Sequence, residues 1–253
     1  MDLNNKVIVI TGAARGLGAA MAKRLANNGA KLALVDLDAD SIADTAAACE
    51  GSSPEVRRYG TNVADESQVE ALFTQVVADF GQLDGLVNNA GITRDGLLIK
   101  YKDGELLAKM SLQDWQMVID VNLTGVFLCG REAAAHMAQL GNGGVIVNIS
   151  SISRAGNVGQ SNYSATKSGV QALAVTWAKE LSRHGIRTGA IAPGFIRTEM
   201  TDAMPDNAKA KIAAMVPLGR MGEADDIAKA VQFIFENDYF SGRLIEVDGA
   251  LRL

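Results

Sequence analysis

The sequence predicts a doubly wound α/β domain, with about seven parallel strands and helices on both faces of the sheet. Three observations predict it. Short runs rich in Val, Ile and Leu alternate with longer stretches of helical spacing. The strand candidates are apolar nearly throughout, as strands covered on both faces are. No Pro-, Ser- or charge-rich linker divides the 253 residues, so one domain spanning 1–253 is expected.

The strand candidates are, in order, "KVIVI" (6–10), "KLALV" (31–35), "EVRRY" (55–59), "DGLVN" (84–88), "GVIVNIS" (144–150), "IRTGAIA" (186–192) and "RLIEV" (243–247). Between them, residues 66–80 put Val69, Leu72, Phe73, Val76 and Val77 on one helical face, and residues 162–181 and 223–236 behave alike. A closed barrel would need eight strand–helix units, so the strand count favours the open sheet.

Composition narrows the function. The chain is 48% hydrophobic and 21% charged, the balance of a folded globular chain. With a net charge of −5 and no block of Lys or Arg, it has no nucleic-acid footprint. Cys49 and Cys129 form no C-x-x-C pair, and His136 and His184 lie far from both, so no metal site is expected. "MDLNNKVIVITG" has a charge at its second residue and no long apolar region after it, which argues against a secretory leader. No run of roughly 18 apolar residues suggests a membrane span. A cytoplasmic location is therefore expected.

The first strand runs into "TGAARGLGAAMAKRLANNGA", with Gly12, Gly16 and Gly18 at the turn and an Ala-rich helix after it. Glycines there allow a tight turn and close approach of the backbone to a pyrophosphate. The helix N-terminus adds free N–H groups and partial positive charge. The spacing is not G-x-G-x-x-G, and a glycine turn alone is weak support for a dinucleotide site. Asp36, at the end of the second strand, strengthens it. A carboxylate there can accept hydrogen bonds from ribose hydroxyls and repels a 2′-phosphate. Arg15 pulls the other way, since a guanidinium in the turn can pair with that phosphate. The carboxylate facing the ribose favours NAD(H), with NADP(H) the alternative.

In "SNYSATK" (161–167), Tyr163 and Lys167 stand one helical turn apart, on one face. A tyrosine has an ordinary pKa of about 10, and a nearby ammonium favours its phenolate. The pair fits a proton donor tuned by a cation. Taken alone, it fits equally well a half-buried tyrosine and a solvated lysine.

Five separated motifs together resemble the short-chain dehydrogenase/reductase family over essentially the whole chain: "TGAARGLG", "NNAG" (88–91), "DVNLTGVF", "NISS…NYSATK" and "PGFIRTEM" (193–200). The resemblance implies a Rossmann fold and hydride transfer between a nicotinamide cofactor and a ketone or secondary alcohol. It implies a catalytic set of Asn122, Ser150, Tyr163 and Lys167, with Asn122 holding a water, Ser150 donating to the substrate oxygen, and Lys167 also binding the nicotinamide ribose. Ser150 is chosen over Ser151 because it lies 13 residues before Tyr163, the family's spacing. Besides Gly12, Arg15, Gly16, Gly18, Asp36, Tyr163 and Lys167, the implied cofactor set takes in Leu17, Leu37, Asn62, Val63, Asn89, Ala90, Gly91, Pro193, Gly194, Ile196 and Thr198.

Within the family, "LVNNAGITRDGLL", "GNVGQSNYSATKSG" and "APGFIRTEM" resemble the 3-oxoacyl-[acyl-carrier-protein] reductases. That resemblance implies a 3-oxoacyl thioester substrate, carried on acyl carrier protein or CoA, and a role in fatty acid biosynthesis. The alternatives are another secondary alcohol (a hydroxyacyl-CoA, sterol or polyol) and a dinucleotide-binding sensor without turnover. Asp36 departs from the subgroup's usual NADPH. Residues 99–110, "IKYKDGELLAKM", look like an insertion, expected as an exposed loop or short helix near the cleft mouth. A segment near 194–222 is expected to cover the substrate, with Phe195, Met200, Met204 and Met215 as an adaptable apolar wall or as core. Arg131, Arg183 and Arg187 are available for an acidic carrier. The resemblance also implies a homotetramer, formed through helices at 112–139 and 162–181 and the last strand.

Overall fold

Alternation along β1 (Val7–Thr11) sets the architecture. Val7 and Val9 point to one side of the sheet and Ile8 and Ile10 to the other, all fully buried. A strand apolar on both faces must lie inside a sheet covered twice. The computed structural model describes residues 1–198, 201 and 205–253 and bears this out.

After β1 come α1 (Gly16–Asn27), β2 (Lys31–Asp36), α2 (Ala43–Cys49), β3 (Val56–Gly60), α3 (Glu66–Phe80) and β4 (Gly85–Asn88). A hairpin of β5 (Ile99–Lys102) and β6 (Glu105–Lys109) follows. Then come α4 (Leu112–Ile119), a π-turn (Asp120–Thr124), α5 (Gly125–Leu140), β7 (Gly144–Ile149) and α6 (Ser161–Leu181). The chain ends with β8 (Ile186–Pro193), β9 (Ile196–Arg197), α7 (Asp206–Met215), β10 (Gly222–Glu223), α8 (Ala224–Glu236) and β11 (Arg243–Val247).

The parallel sheet has seven strands in the order β11-β8-β7-β4-β1-β2-β3. All seven sequence-predicted strands are in it, each within about a residue of its expected bounds. One face packs Ile8, Ile10, Leu32 and Val147 against α1 and α8 through Met21, Leu25, Val231 and Phe235. The other packs Val7, Val9, Val35 and Ile146 against α3, α5 and α6 through Phe73, Met137 and Trp177. Helix α3 starts where Asp65 accepts a hydrogen bond from the Gln68 N–H and stops at Gly81 in the left-handed region. Because β1 pairs with β2 on one side and β4 on the other, the strand order reverses at β1, and a crevice opens beyond the carboxyl ends of β1 and β4.

Two expectations need correction. Residues 99–110 form an antiparallel hairpin, not a helix or loop; Asp103 and Gly104 take positive φ values (51° and 86°) that the tight turn requires. The helix expected at 112–139 is interrupted by the π-turn, whose extra residue carries Asn122 into the interior. Among the described residues, no helix is long and apolar enough to cross a membrane.

Candidate active site

The turn after β1 is built by close backbone approach. Gly12 has φ +65°, and a Cβ there would lie 2.9 Å from the Ala90 Cα and from the Asn89 Nδ2. A Cβ on Gly18 would lie 2.0 Å from the Gly12 oxygen, so the first turn of α1 can press on the loop only with glycine there. The α1 N-terminus has no side-chain cap and no acid in its first turn, which leaves its N–H groups to an external anion. Asn89 ties the turn to β4, donating from Nδ2 to the Thr11 and Gly12 carbonyls at 3.0 Å each. The Asn89 and Ala90 N–H groups donate to the Thr11 Oγ1.

Asp36 ends β2 beside this turn. Its Oδ2 accepts from the Ala14 N–H (3.0 Å) and its Oδ1 from the Leu37 N–H (2.9 Å). A carboxylate has about four acceptor positions, so each oxygen keeps one for a ribose hydroxyl. Leu37 is 73% exposed, an apolar surface next to that carboxylate, and Arg15 is exposed on the turn. Asn62 caps its own loop by accepting from the Ala64 N–H, and buried Val63 packs where a Cβ on Gly125 would meet it. These residues fit a dinucleotide, with a cradle closed to side chains, an open helix N-terminus and a ribose-facing acid. At the far end, Gly194 lies against Asp248, while Ile196 is buried and Thr198 partly so.

The residues expected to react gather where β4, β7 and α6 meet. Lys167 is buried, and its Nζ donates to the Ile149 carbonyl at 2.8 Å and lies 5.4 Å from the Tyr163 ring centroid. Asn122 is buried too; its Oδ1 accepts from the Ile92 N–H (2.8 Å) and its Nδ2 donates to the Ile92 carbonyl (2.9 Å). Gly91 sits between them, since a Cβ there would be 3.3 Å from the Asn122 Oδ1 and 3.7 Å from the Lys167 Nζ. The Asn122 side chain thus braces the β4 loop through one bond at each of its two polar atoms.

The serines exchange places relative to expectation. Ser150 is buried and its hydroxyl donates to the Lys167 carbonyl at 2.6 Å, beneath α6. The Ser151 hydroxyl is the one facing the Tyr163 phenol. The reason is strand alternation. Ile146, Asn148 and Ser150 share the face under α6, and Asn148 likewise donates to the Val170 carbonyl. Ser151 is the next residue and emerges on the crevice side.

Charge tuning also differs from expectation. Burial pushes the Tyr163 phenol above its ordinary value; the Ser151 hydroxyl opposes this, and Asp95 adds to it. Burial lowers Lys167 to about 8. The nearby lysine does not bring the phenol below its ordinary value here, because desolvation outweighs the other influences on the phenol and the ammonium is turned to the Ile149 carbonyl.

Three further residues were not singled out from the sequence. Thr11 and Asn148 brace the two strand ends. Asn162 fixes the start of α6 by donating to the Arg94 and Asp114 carbonyls. Phe195 packs with Ile152, Val216 and Leu251, and Met215 is 54% exposed rather than core. Met200 and Met204 lie outside the described residues. A cavity of about 260 Å³ lined by Phe195, Leu218, Arg220 and Asp248 touches none of Ser151, Tyr163 or Lys167 and is not the reaction site. The expected arginines are engaged elsewhere. Arg131 pairs with Glu66, Glu70 and Glu132, Arg187 donates to the Ile234, Phe235 and Phe240 carbonyls, and Arg183 to His184.

Residues 6–209 match the short chain dehydrogenase family. The chain belongs to that family. It is 40% identical to the 3-oxoacyl-[acyl-carrier-protein] reductase FabG of Thermotoga maritima, over 99% of both chains. It is also 40% identical to the (3R)-3-hydroxyacyl-CoA dehydrogenase of Rattus norvegicus, over 99% of this chain and 98% of that one. A short-chain type dehydrogenase/reductase from Mycobacterium marinum superposes with a TM-score of 0.89 at 30% identity, covering 98% of this chain and 96% of that one. As a short-chain dehydrogenase, the chain is an oxidoreductase of the Rossmann class that works with a nicotinamide cofactor.

Proposed function

We propose that this enzyme interconverts 3-oxoacyl and 3-hydroxyacyl thioesters, with Tyr163 as proton donor and Ser151 as the hydroxyl that orients the carbonyl. The facing pair of Ser151 and Tyr163 hydroxyls carries this reading: two donors converge on one point of the crevice, as a carbonyl oxygen gaining charge requires. The thioester follows from the relatives. The bacterial one is named for 3-oxoacyl-[acyl-carrier-protein] and the mammalian one for (3R)-3-hydroxyacyl-CoA, the same acyl chemistry on two carriers.

A nicotinamide held by these residues would supply or accept the hydride at the carbonyl carbon. Tyr163 gives its phenolic proton to the oxygen as C=O becomes C–OH. Lys167, protonated below about pH 8, stabilises the phenolate left behind. Asn122 acts indirectly, holding the Gly91–Ile92 backbone against Lys167. Gly12, Gly16, Leu17 and Gly18 would cradle the pyrophosphate. Asp36 and Leu37 would take the adenosine, with Asn62, Val63, Asn89, Ala90 and Gly91 around it. Pro193, Gly194, Ile196 and Thr198 would border the nicotinamide, and the chain from Gly194 to Gly222 would cover the substrate. Asp36 supports NAD(H) over NADP(H), because a 2′-phosphate would face its carboxylate.

The test is turnover of acetoacetyl-CoA with NADH and with NADPH by the wild type and Tyr163→Phe. A rate reduced by about 10² or more in the variant is expected. Wild-type turnover by Tyr163→Phe would remove the tyrosine from the chemistry. NADH binding without turnover of any ketone would point instead to a sensor.

A further inference from the structure

Ser151 enters the crevice at the head of a short turn, Ile152–Ala155. The Ser151 hydroxyl accepts from the Ser153 N–H (3.1 Å), which leaves its own proton to point at a substrate oxygen. The Ser151 carbonyl accepts from the Arg154 N–H (3.1 Å), and the Arg154 Nη1 lies 3.5 Å from the same oxygen. The aim of Ser151 is therefore set by where Arg154 sits.

Arg154 is fastened at both ends. Its carbonyl accepts from the Ser168 hydroxyl on α6 (2.6 Å). Its guanidinium, 17% exposed, donates through Nη2 to the Oε1 of Glu246 on β11. The sheet register explains the reach. Glu246 pairs with Ala192 on β8, and Ile191 with Ile149 on β7, so Glu246 stands level with Ser150 and on the α6 side of the sheet. Glu246 is held in turn by the tail after β11. Its Oε2 lies 3.0 Å from the Arg252 Nη2, and the Arg252 Nη1 donates to the Asp248 Oδ2 at 2.6 Å. Charges of alternating sign thus run from the turn into the tail: Arg154, Glu246, Arg252, Asp248. Apolar packing follows the same path, with Ile152 of the turn clustered with Leu251 of the tail. We propose that Arg154 is a positioning residue, held by Glu246 and the tail so that Ser151 faces the Tyr163 phenol; this rests on the reading of Ser151 and Tyr163 given above.

Two arguments favour position over mere stability. The tail end of β11 also holds the opposite side of the crevice. The Gly194 N–H donates to the Val247 carbonyl (2.9 Å), and a Cβ on Gly194 would lie 2.6 Å from the Asp248 Cα. One segment therefore sets the Ser151 turn and the Gly194 loop relative to each other. The second argument is one of magnitude. Ion pairs open to water contribute about 0–1 kcal/mol to folding, whereas a displacement of about 1 Å at a reacting group costs about 10²-fold in rate.

A double-mutant cycle on acetoacetyl-CoA reduction tests this, with Arg154→Met, Ser151→Ala and the two combined. Arg154→Met is expected to lower kcat by about tenfold or more, with KM within roughly twofold of wild type. Arg154→Lys, which keeps a cation for Glu246, is expected to recover most of that rate. In the Ser151→Ala background, Arg154→Met should change kcat by less than about twofold, because the hydroxyl it aims is gone. Glu246→Gln leaves the turn's own sequence intact and gives a second reading by amide exchange. The Ser153 and Gly156 amides, bonded within the turn, should exchange faster in this variant. Wild-type kcat in Arg154→Met, equal losses of kcat in both backgrounds, or wild-type exchange at Ser153 and Gly156 in Glu246→Gln overturns the proposal. Faster exchange in Glu246→Gln together with wild-type kcat in Ser151→Ala overturns the reading of Ser151 and the positioning role with it, since the tail then holds a turn without chemistry.

Discussion

Replacing the two adjacent serines separately should produce different effects on kcat. In Ser151→Ala, the hydroxyl facing the Tyr163 phenol disappears while the β7 ladder stays intact. Loss of one preorganised donor to a developing oxyanion costs about 10²–10³ in kcat. The Ser153 N–H loses its 3.1 Å acceptor on Ser151 in the same variant, a cap on the 152–155 turn whose loss costs about 0.5–2 kcal/mol, so the two variants are told apart by kcat. In Ser150→Ala, the lost bond is the 2.6 Å donation to the Lys167 carbonyl. That carbonyl keeps its place in the α6 ladder, so the net cost is about 1 kcal/mol. For a chain of this size, this is a Tm lower by about 2–4 °C. The assay pairs steady-state reduction of acetoacetyl-CoA with thermal unfolding of each variant without cofactor. A large loss of kcat in Ser150→Ala with near-wild-type kcat in Ser151→Ala would refute the assignment and restore the serine chosen by spacing.

Asp36→Ala is expected to lower the ratio of kcat/KM for NADH over NADPH by roughly tenfold or more, and an unchanged ratio sinks the ribose argument. Gly18→Ala forces a Cβ to 2.0 Å from the Gly12 oxygen, so α1 must back away; stability should fall by about 1–3 kcal/mol and NADH affinity, read by fluorescence titration, should weaken. Lys167 has a folded pKa of about 8 against about 10.4 unfolded, so between these values the unfolded chain binds more protons and this group's contribution to stability rises with pH. Cys49 and Cys129, pushed by burial to about 11 and about 12, act in the opposite sense, so the readout is wild type minus Lys167→Met. That difference, from urea unfolding without cofactor, should grow by about 3 kcal/mol between pH 7 and pH 10.5, and a flat difference would contradict the burial argument.

The strands and the phosphate turn were legible because each depends on local chemistry: runs of Val and Ile for β1, β2 and β7, and glycines where backbone must meet backbone. The hairpin at 99–109 was not. Its apolar residues follow no clean period, because the bulge between Lys100 and Tyr101 shifts the alternation, and charges at 100, 102, 103, 105 and 109 read as a solvated loop. The π-turn at Asn122 was hidden for another reason. One inserted residue in a helix leaves the hydrophobic pattern on either side intact. The serine assignment was within reach of the sequence. Counting 13 residues back from Tyr163 ignores the pleat, whereas the period of two through Ile146, Asn148 and Ser150 already sends Ser150 inward.

The same distinction runs through the whole site. Thr11, Asn89, Asn122, Asn148 and Ser150 direct their polar atoms to neighbouring segments, all to backbone groups except the Asn148 Oδ1, which accepts from the Asn88 amide, joining β1 to β4, the β4 loop to the π-turn, and β7 to β4 and α6. Tyr163 and Ser151 turn their hydroxyls toward each other, and Asp36 keeps acceptor capacity free at the turn. The bracing residues are therefore chosen for donor–acceptor pattern rather than reactivity. At Asn122, an aspartate would match the shape and still accept from the Ile92 N–H. It would set a second acceptor against the Ile92 carbonyl and put a buried negative charge beside Lys167. The amide is required because Ile92 presents one donor and one acceptor, and only a side chain with both can hold Gly91 in place without adding charge to the reacting pair.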